Sequence, residues 1–305
     1  MRPTVRVGAW LLSLLCLTAA AAPWLATSDV ATQRPDLALA PPSLQRRVLV
    51  NRLPPTYRPL DAPLPLVWFS GRLVRSADAA EPLLPLGSDS LGRDQWTRVL
   101  HGARLSLGLA LAGLAGALSI GTVLGLLAGA RHSWLDSGVM RLADLFIAWP
   151  ALYVVLVLRA TLPLSLSFEA LFALMTLVLT LAGWPLVARA VRAVVASERS
   201  RESVLAAQAA GATHLWLLRR HLLPAAWPVI ATQALLLVPS FILAEATLSF
   251  VGLGFSEPTP SWGTMLTEAI NPFTLRQAPW LLAPAAAIAL VTLSVNLMAD
   301  RHDRG

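Results

Sequence analysis

The chain contains no lysine, and all 24 of its basic residues are arginines. A phosphate-binding loop of the form GxxxxGKS/T is therefore impossible, and so is chemistry that uses lysine as a Schiff base or general base. The single cysteine, Cys16, excludes an intrachain disulfide and a cysteine metal cluster. Charged residues make up only 13% of the 305 residues, whereas 56% are apolar. This composition is typical of an integral membrane protein.

Two further absences narrow the possible ligands. The sequence has no HExxH motif, cysteine pair or acidic cluster, so we expect no metal and no other cofactor on this chain. The net charge of +7 is scattered between apolar segments, without a basic stripe and stacking aromatics. We therefore expect contact with membrane lipid and none with nucleic acid.

Six apolar runs are long enough, or nearly so, to cross about 30 Å of hydrocarbon as helices. They are Val7–Ala26, Leu105–Ala128, Leu145–Pro163, Ala170–Ala188, Trp227–Val251 and Pro279–Met298. The first run resembles a cleavable signal peptide, but it exceeds the usual apolar core of about 7 to 15 residues, which favours an uncleaved helix. The pattern predicts an all-α membrane protein with about six transmembrane helices.

The arginines indicate the orientation of these helices. With a cytoplasmic amino terminus, twelve arginines fall in inner segments and at most two, Arg159 and Arg276, in short outer loops. This bias predicts that both termini and residues 189–225 face the cytoplasm. The stretch 27–102 would be external; its nine arginines do not count against this because the rule applies to short loops.

Domain boundaries follow from this topology. We predict a first helix over 1–26, an external loop over 27–102, five helices over 103–300 and a cytoplasmic tail over 301–305. The external loop is rich in proline, so it should be extended and turn-rich, with short strands possible around Leu64–Val74. It could be a docking surface for an external partner or a simple connector.

The segment Ser203–Pro224 lies between the fourth and fifth predicted spans. Ala206, Ala207 and Gly211 present small side chains at helical spacing, which allows close approach of another protein or of a helix in the same chain. The segment resembles the cytoplasmic coupling loop of ABC importer permeases, including its ending at Leu223 and Pro224.

Two positions depart from the coupling-loop motif. Leu205 stands where the family usually has glutamate, and His221 stands where it usually has isoleucine. Glu202 lies one helical turn before Leu205, so we hypothesise that it supplies the missing carboxylate.

Further motifs resemble the dipeptide, oligopeptide and nickel class of these permeases. In chain order they are LGSDSLGRD at Leu86–Asp94, GARLSL at Gly102–Leu107, MRLADLFIAWP at Met140–Pro150, LSFVGLG at Leu248–Gly254, PTPSWGTML at Pro258–Leu266 and APWL at Ala278–Leu281. No one motif is decisive, but the combination and its order are highly specific.

The resemblance implies a type I ABC importer fold, with a cytoplasmic coupling helix between the fourth and fifth spans. It implies a permease subunit in the cell inner membrane that pairs with a second homologous permease. Two cytoplasmic ATPase subunits would bind ATP and magnesium, and an external binding protein would deliver the solute. Peptides are the family default, whereas nickel, sugars and modified peptides use similar scaffolds.

Three residues are candidates for a pathway or subunit interface: Glu245 inside the fifth span, Arg159 near the outer end of the third, and Trp262 after the fifth. Glu245 could equally be a buried, hydrogen-bonded carboxylate, and Arg159 could extend to the lipid headgroups. Near the inner end of the third span, Arg141 and Asp144 are spaced to form a local helix pair.

Two other functions compete with the permease. A secondary transporter would need ionisable groups at mid-membrane, for which Glu245 is the one clear candidate. An intramembrane serine hydrolase would use Ser256 in the minimal GxS at 254–256, but the five histidines are predicted to lie in loops or tails, away from it.

Overall fold

The computed structural model describes residues 3–43, 66–69, 71–76, 82–130, 134–148, 153, 157 and 166–299. Five stretches of these residues are long and apolar enough to cross a membrane: Pro3–Ala20, Gln95–Ala130, Phe168–Arg199, His214–Phe250 and Pro279–Ala299. They correspond to five of the six predicted spans and confirm the all-α class. Most of the remaining predicted span, Leu145–Pro163, lies outside the described residues.

The elements follow the chain in a simple order. The helices are α1 Pro3–Ala20, α2 Ala22–Leu25, α3 Gln95–Ala130, α4 Trp134–Ala148, α5 Phe168–Arg199, α6 Glu202–Ala209, α7 His214–Leu217, α8 Leu223–Phe250, α9 Trp262–Leu266, α10 Pro272–Gln277 and α11 Ala283–Ala299. A π-helical turn, Leu218–Leu222, joins α7 to α8. Short 3-10 turns occupy Pro35–Leu37, Glu268–Ile270 and Pro279–Leu282.

The described residues also include an antiparallel hairpin. Strands β1 Leu66–Trp68 and β2 Val74–Ser76 pair in the register Leu66 with Ser76 and Trp68 with Val74. This confirms the short strands predicted around Leu64–Val74.

Helix α3 begins at Gln95, eight residues before the predicted boundary at 103. Asp94 explains the start, because its carboxylate accepts the backbone amides of Trp96 at 3.1 Å and Thr97 at 3.3 Å, as an N-cap residue does. At 36 residues, α3 measures about 54 Å, which exceeds the hydrocarbon thickness. Its polar first turns are helical, and their residues Gln95, Thr97 and Arg98 are buried by protein, which hydropathy does not detect.

The chain divides into two compact units: a first unit of residues 1–108 and 245–297, and a second unit of residues 109–244 and 298–305. In the first unit, the turn before α3 is fixed by Ser88, whose hydroxyl accepts the Ala40 amide at 2.7 Å. The Trp280 indole donates to the Ser88 carbonyl at 2.8 Å. Gly87 has φ +74°, and a Cβ there would lie 2.6 Å from the Ala40 carbonyl, so this close approach requires glycine.

In the second unit, glycines of α3 pack against valines of α5. A Cβ added to Gly121, Gly125 or Gly129 would lie 2.5 to 2.8 Å from the Cβ of Val187, Val191 or Val195, respectively. Both sets recur every four residues and thus occupy one face of each helix. Small residues at this spacing allow two membrane helices to approach closely, so van der Waals contact stabilises the pair.

Helix α4 joins the same unit through α5. The Phe146 and Trp184 rings meet edge to face at 5.5 Å, beside the buried Ala143 and Ala188. The Arg192 guanidinium donates to both carboxylate oxygens of Asp136, at 3.0 and 2.6 Å. Asp144 pairs with Arg189 of α5, which corrects the expected local pair with Arg141.

Candidate functional site

The predicted coupling segment folds as a short exposed helix, α6, between α5 and the α7–α8 run. Only residues 200 and 201 separate α5 from α6, so the connection is tight. After α6, Gly211 adopts φ +84°, the Gly211 amide donates to the Gln208 carbonyl at 2.9 Å and the Ala212 amide to the Ala207 carbonyl at 3.0 Å. These bonds form a Schellman motif, which stops the helix and satisfies its last carbonyls.

Helix α7 then restarts the chain at Thr213, whose hydroxyl accepts the Trp216 amide at 3.3 Å. The π turn follows and leads directly into α8. On the inward side of this segment, Val204, Leu217 and Leu222 are buried. They also line an apolar cavity of about 280 Å³ with Leu127 of α3.

The structure separates the predicted coupling residues into two groups. Glu202, Leu205, Ala206, Gly211 and Pro224 are exposed, whereas Ala207 and Leu223 are half-buried. Ala207 lies three residues after the buried Val204 and therefore on the same side of α6. Of the small residues predicted as a contact surface, Ala206 and Gly211 are thus the more accessible.

Four further exposed residues extend this surface: Leu215 and Trp216, which sequence reasoning missed, and Arg219 and Arg220, whose charge the arginine-rich loop already indicated. The Trp216 ring also lies near the His221 ring, with centroids 5.4 Å apart. In the sequence, Leu215 and Trp216 stand out only as an apolar pair in an arginine-rich loop that is too short to be a span. We call Glu202, Leu205, Ala206, Gly211 and these four residues the docking surface.

Glu245 and Trp262 are brought together in the first unit. Both side chains are buried. One Glu245 oxygen accepts the Ser106 hydroxyl at 2.7 Å, and the other accepts the Ser249 hydroxyl at 2.8 Å. The Trp262 amide donates to the Ser106 hydroxyl oxygen at 3.2 Å, and its indole donates to the Val99 carbonyl at 3.1 Å.

This network binds the beginning of α9 to α3 and to the end of α8. Gly263 contributes, because a Cβ there would lie 2.5 Å from the Ala246 carbonyl. Both oxygens of Glu245 accept hydrogen bonds from serines of the same chain, as the alternative of a buried, hydrogen-bonded carboxylate anticipated. Arg159 lies outside the described residues, and a pathway or interface role for these residues stays a prediction.

A second buried cluster was not anticipated. Arg93 donates through Nε to Asp89 at 2.6 Å, through Nη1 to Glu257 at 2.5 Å and through Nη2 to Glu268 at 3.4 Å. Arg98 also donates to Glu257, at 2.7 Å. The cluster therefore ties the LGSDSLGRD turn and the first turn of α3 to the segments on either side of α9.

Charge and burial shift the pKa values in this cluster. Burial alone would raise the pKa of Glu257, but the Arg93 hydrogen bond and the Arg98 charge lower it below its usual range. Burial and the neighbouring Asp89 charge raise the pKa of Glu268. Burial would lower the pKa of Arg93, yet Glu257 and Asp89 raise it above its ordinary value, so this guanidinium is permanently charged.

Asp94 links the cluster region to the end of α2. Its carboxylate accepts the Thr27 hydroxyl and the Thr97 hydroxyl, and the Trp96 indole donates to the Leu25 carbonyl at 3.0 Å. Burial raises the pKa of Asp94, although the hydrogen bonds from Thr27 and Thr97 oppose the change.

The described part of the chain contains no group of three His, Cys, Asp or Glu side chains that could hold a metal ion. The structure places His101 in α3, His214 in α7 and His221 in the π turn and not in loops, which corrects one premise against a hydrolase. The Nδ1 atom of His101 lies 3.0 Å from the Thr97 carbonyl, however, so that nitrogen already has a partner.

Comparison with known proteins agrees with the helical fold described above. The profile of the family described as "binding-protein-dependent transport system inner membrane component" matches residues 121–305. The chain belongs to this family. The dipeptide transport system permease protein DppC of Alkalihalophilus pseudofirmus is 37% identical over 215 residues, which are 70% of this chain and 68% of that protein.

Other relatives extend the match. The di/tripeptide transport system permease protein DppC of Pseudomonas aeruginosa is 34% identical over 289 residues, which are 94% of this chain and 82% of that protein. The inward-facing MetNI methionine ABC transporter contains a chain that is 18% identical, with a TM-score of 0.50 over 66% of this chain and 94% of that one. The type I importer-like fold and the permease family predicted from the motifs are confirmed.

Proposed function

We propose that this chain forms half of a peptide translocation pathway in the inner membrane, with both termini cytoplasmic. A second permease of the same family completes the pathway, an external binding protein delivers the solute, and two cytoplasmic ATPase subunits bind ATP and magnesium. The exposed helix α6, held between two spans, is the observation that carries this proposal. The absence of lysine supports it, because ATP cannot be bound here by a GxxxxGKS/T loop.

The docking surface is suited to receive force from an ATPase. Leu205, Leu215 and Trp216 offer exposed apolar area, Arg219 and Arg220 offer charge for acidic groups, and Ala206 and Gly211 allow close approach. Exposed apolar residues with a polar rim are typical of protein contacts.

The connections on both sides of α6 can transmit displacement. Two residues join it to α5, the Schellman motif fixes the bend into α7, and the helical run His214–Phe250 is continuous. Movement of α6 therefore displaces the inner ends of α5 and α8 together. Closure of the ATPases would in this way switch the pathway from inward-open to outward-open.

Docking can be tested with two matched glycine variants. Gly211 and Gly252 have φ values of +84° and +78°, and neither would bring a Cβ within 4 Å of another group. Tryptophan at either position therefore causes similar backbone strain. We expect Gly211→Trp to lose co-purification with co-expressed ATPase subunits, and Gly252→Trp to retain it. Equal retention, or equal loss, would overturn the assignment of this surface.

The solute class rests on the relatives, which are named as dipeptide and di/tripeptide permeases. Uptake of a radiolabelled dipeptide by vesicles containing the whole transporter tests it directly. We expect ATP-dependent uptake that an excess of unlabelled dipeptide abolishes. Uptake of nickel or a sugar, with none of peptides, would replace the solute and leave the docking result intact.

A further inference from the structure

The hairpin formed by β1 and β2 exposes an apolar surface that the proposed transport mechanism does not use. Trp68 is 59% exposed and Phe69 is 79% exposed. Leu66 and Leu73 are exposed as well. Phe69 has φ +57°, a left-handed conformation that is costly for a bulky aromatic residue. We call residues 66–69 and 71–76 the aromatic hairpin.

The aromatic hairpin is attached to the end of the first span. The Leu73 amide donates to the Trp24 carbonyl at 2.7 Å, and the Phe69 amide donates to the Leu73 carbonyl at 3.2 Å. Trp24 is itself 73% exposed. Three exposed aromatic side chains therefore belong to one hydrogen-bonded structure at the end of α2.

The length of α1 gives the depth of this attachment in the bilayer. Arg6 lies near the start of α1, so the hydrocarbon region begins between Pro3 and Val7. A thickness of about 30 Å takes about 20 helical residues, so this region ends between Ala22 and Ala26, around Trp24. The headgroup region extends about 5 to 7 Å beyond that boundary, which places Trp24 and the attached hairpin at its inner edge.

The exposed surface of α1 continues toward this level. Trp10, Leu14 and Leu17 are exposed at helical spacing, and Trp24 follows seven residues after Leu17. A helix that spans the bilayer presents such residues to lipid, and tryptophan is enriched where lipid meets water. The same lipid that covers this face of α1 is thus the nearest apolar partner for the hairpin.

We propose that the aromatic hairpin is an interfacial membrane anchor that inserts Trp68 and Phe69 into the headgroup region beside the first span. Arg72, half-buried in the same turn, supplies a positive charge that lipid phosphates would attract. The anchor holds the carboxyl-terminal end of α1–α2 at a fixed depth, and the Trp96–Leu25 and Thr27–Asp94 hydrogen bonds extend that constraint to the beginning of α3. The proposal depends on α1 crossing the membrane and not on the identity of the solute.

Depth-dependent quenching tests the anchor. In a Cys16→Ala background, NBD is attached to Arg72→Cys, which leaves Trp68 and Phe69 in place, or to Asp36→Cys, an exposed control in the same unit. The full chain is placed in phosphatidylcholine nanodiscs that carry a nitroxide on the headgroup, on acyl carbon 5 or on acyl carbon 12. We expect blue-shifted emission and quenching of the residue 72 label by the headgroup and carbon-5 nitroxides only, and no quenching of the residue 36 label.

A second variant separates membrane contact from folding. Trp68→Ser with Phe69→Ser should remove the quenching and the blue shift at residue 72, while the size-exclusion profile and the residue 36 signal stay unchanged. Equal, water-like emission from both labels in the parent protein would overturn the proposal. So would a residue 72 label that becomes protected only when the binding protein is added, because that surface would then serve a protein partner.

Discussion

Replacing Arg93 by methionine should destabilise the first unit by about 3 kcal/mol. The Arg93 side chain is 2% exposed and donates to Asp89, Glu257 and Glu268. Methionine keeps much of the apolar stem and removes the charge, so the change isolates the ion pairs from packing. After the substitution, Arg98 is the one arginine left to face the three carboxylates.

The magnitude follows from how strongly each carboxylate is buried. Removing one partner of a buried ion pair costs about 3 to 5 kcal/mol, because the remaining charge is stranded. Glu257 is 45% exposed and Glu268 is 20% exposed, so water can hydrate both. Asp89 is 2% exposed and keeps a contact at 3.4 Å to Arg98 Nε. One stranded carboxylate with a weakened partner corresponds to the lower end of the range.

Thermal unfolding in nanodiscs measures the effect. A loss of about 3 kcal/mol corresponds to a fall in Tm of about 5 °C for a chain of this size. Combining Arg93→Met with Asp89→Asn should recover part of the loss, since the stranded charge is then absent. Arg276→Met is the control, because Arg276 is exposed in the same unit and its removal should change the stability by less than about 0.5 kcal/mol. Equal Tm values for the Arg93 and Arg276 variants would refute the reasoning.

Three further predictions use other contacts. The raised pKa of Glu268 means that the Glu268 carboxyl group binds a proton more tightly in the folded state than in the unfolded state. The stability that this difference contributes is complete below the ordinary glutamate pKa of about 4.3, and it is lost as the pH rises through the raised pKa of the folded state. Glu268→Gln should therefore flatten the fall in Tm that the parent shows on that rise, and an unchanged profile would exclude Glu268 as its source. Gly125→Leu should lower the Tm and the yield of folded protein, because its Cβ would meet Val191 at 2.8 Å, whereas Gly108→Leu, which has open space, should be tolerated. Similar losses for the two variants would show that the clash with Val191 is not their cause. Glu202→Ala should weaken ATPase co-purification and ATP-driven uptake more than Leu205→Ala, and equal tolerance of both changes would remove Glu202 as the substitute carboxylate.

The positions of the spans were predictable because apolar runs must be long enough to cross the bilayer. Their ends were not, because neighbouring groups in the fold decide them. Arg98 and Gln95 are buried in the first turns of α3, although their hydropathy predicts that they are exposed to water. At the other end of a span, α5 continues to Arg199, and its Arg192 is neutralised by Asp136 of α4. Polar residues that are paired in this way extend a helix without adding to its hydropathy.

The candidate site was predictable to a similar extent. The coupling-loop motif located α6 and its small residues Ala206 and Gly211, but not the role of Gly211 in ending the helix. The sequence could not pair Arg93 with Glu257, which lies 164 residues away, because nothing in one sequence specifies such a contact. The sequence also could not show that Ala207 lies on the buried side of α6, beside Val204, since α6 has small or apolar residues on several sides.

The π turn at Leu218–Leu222 determines the angle, measured around the axis of α8, at which the docking surface faces. A π turn accommodates one more residue than an α turn, and each residue rotates an α-helix by about 100°. Deleting one residue here would convert the turn to α and swing α7, with the α6 attached to it, by about that angle, although every docking side chain would be present. Under the proposed function, recognition by an ATPase would thus depend on a residue count as well as on residue identity.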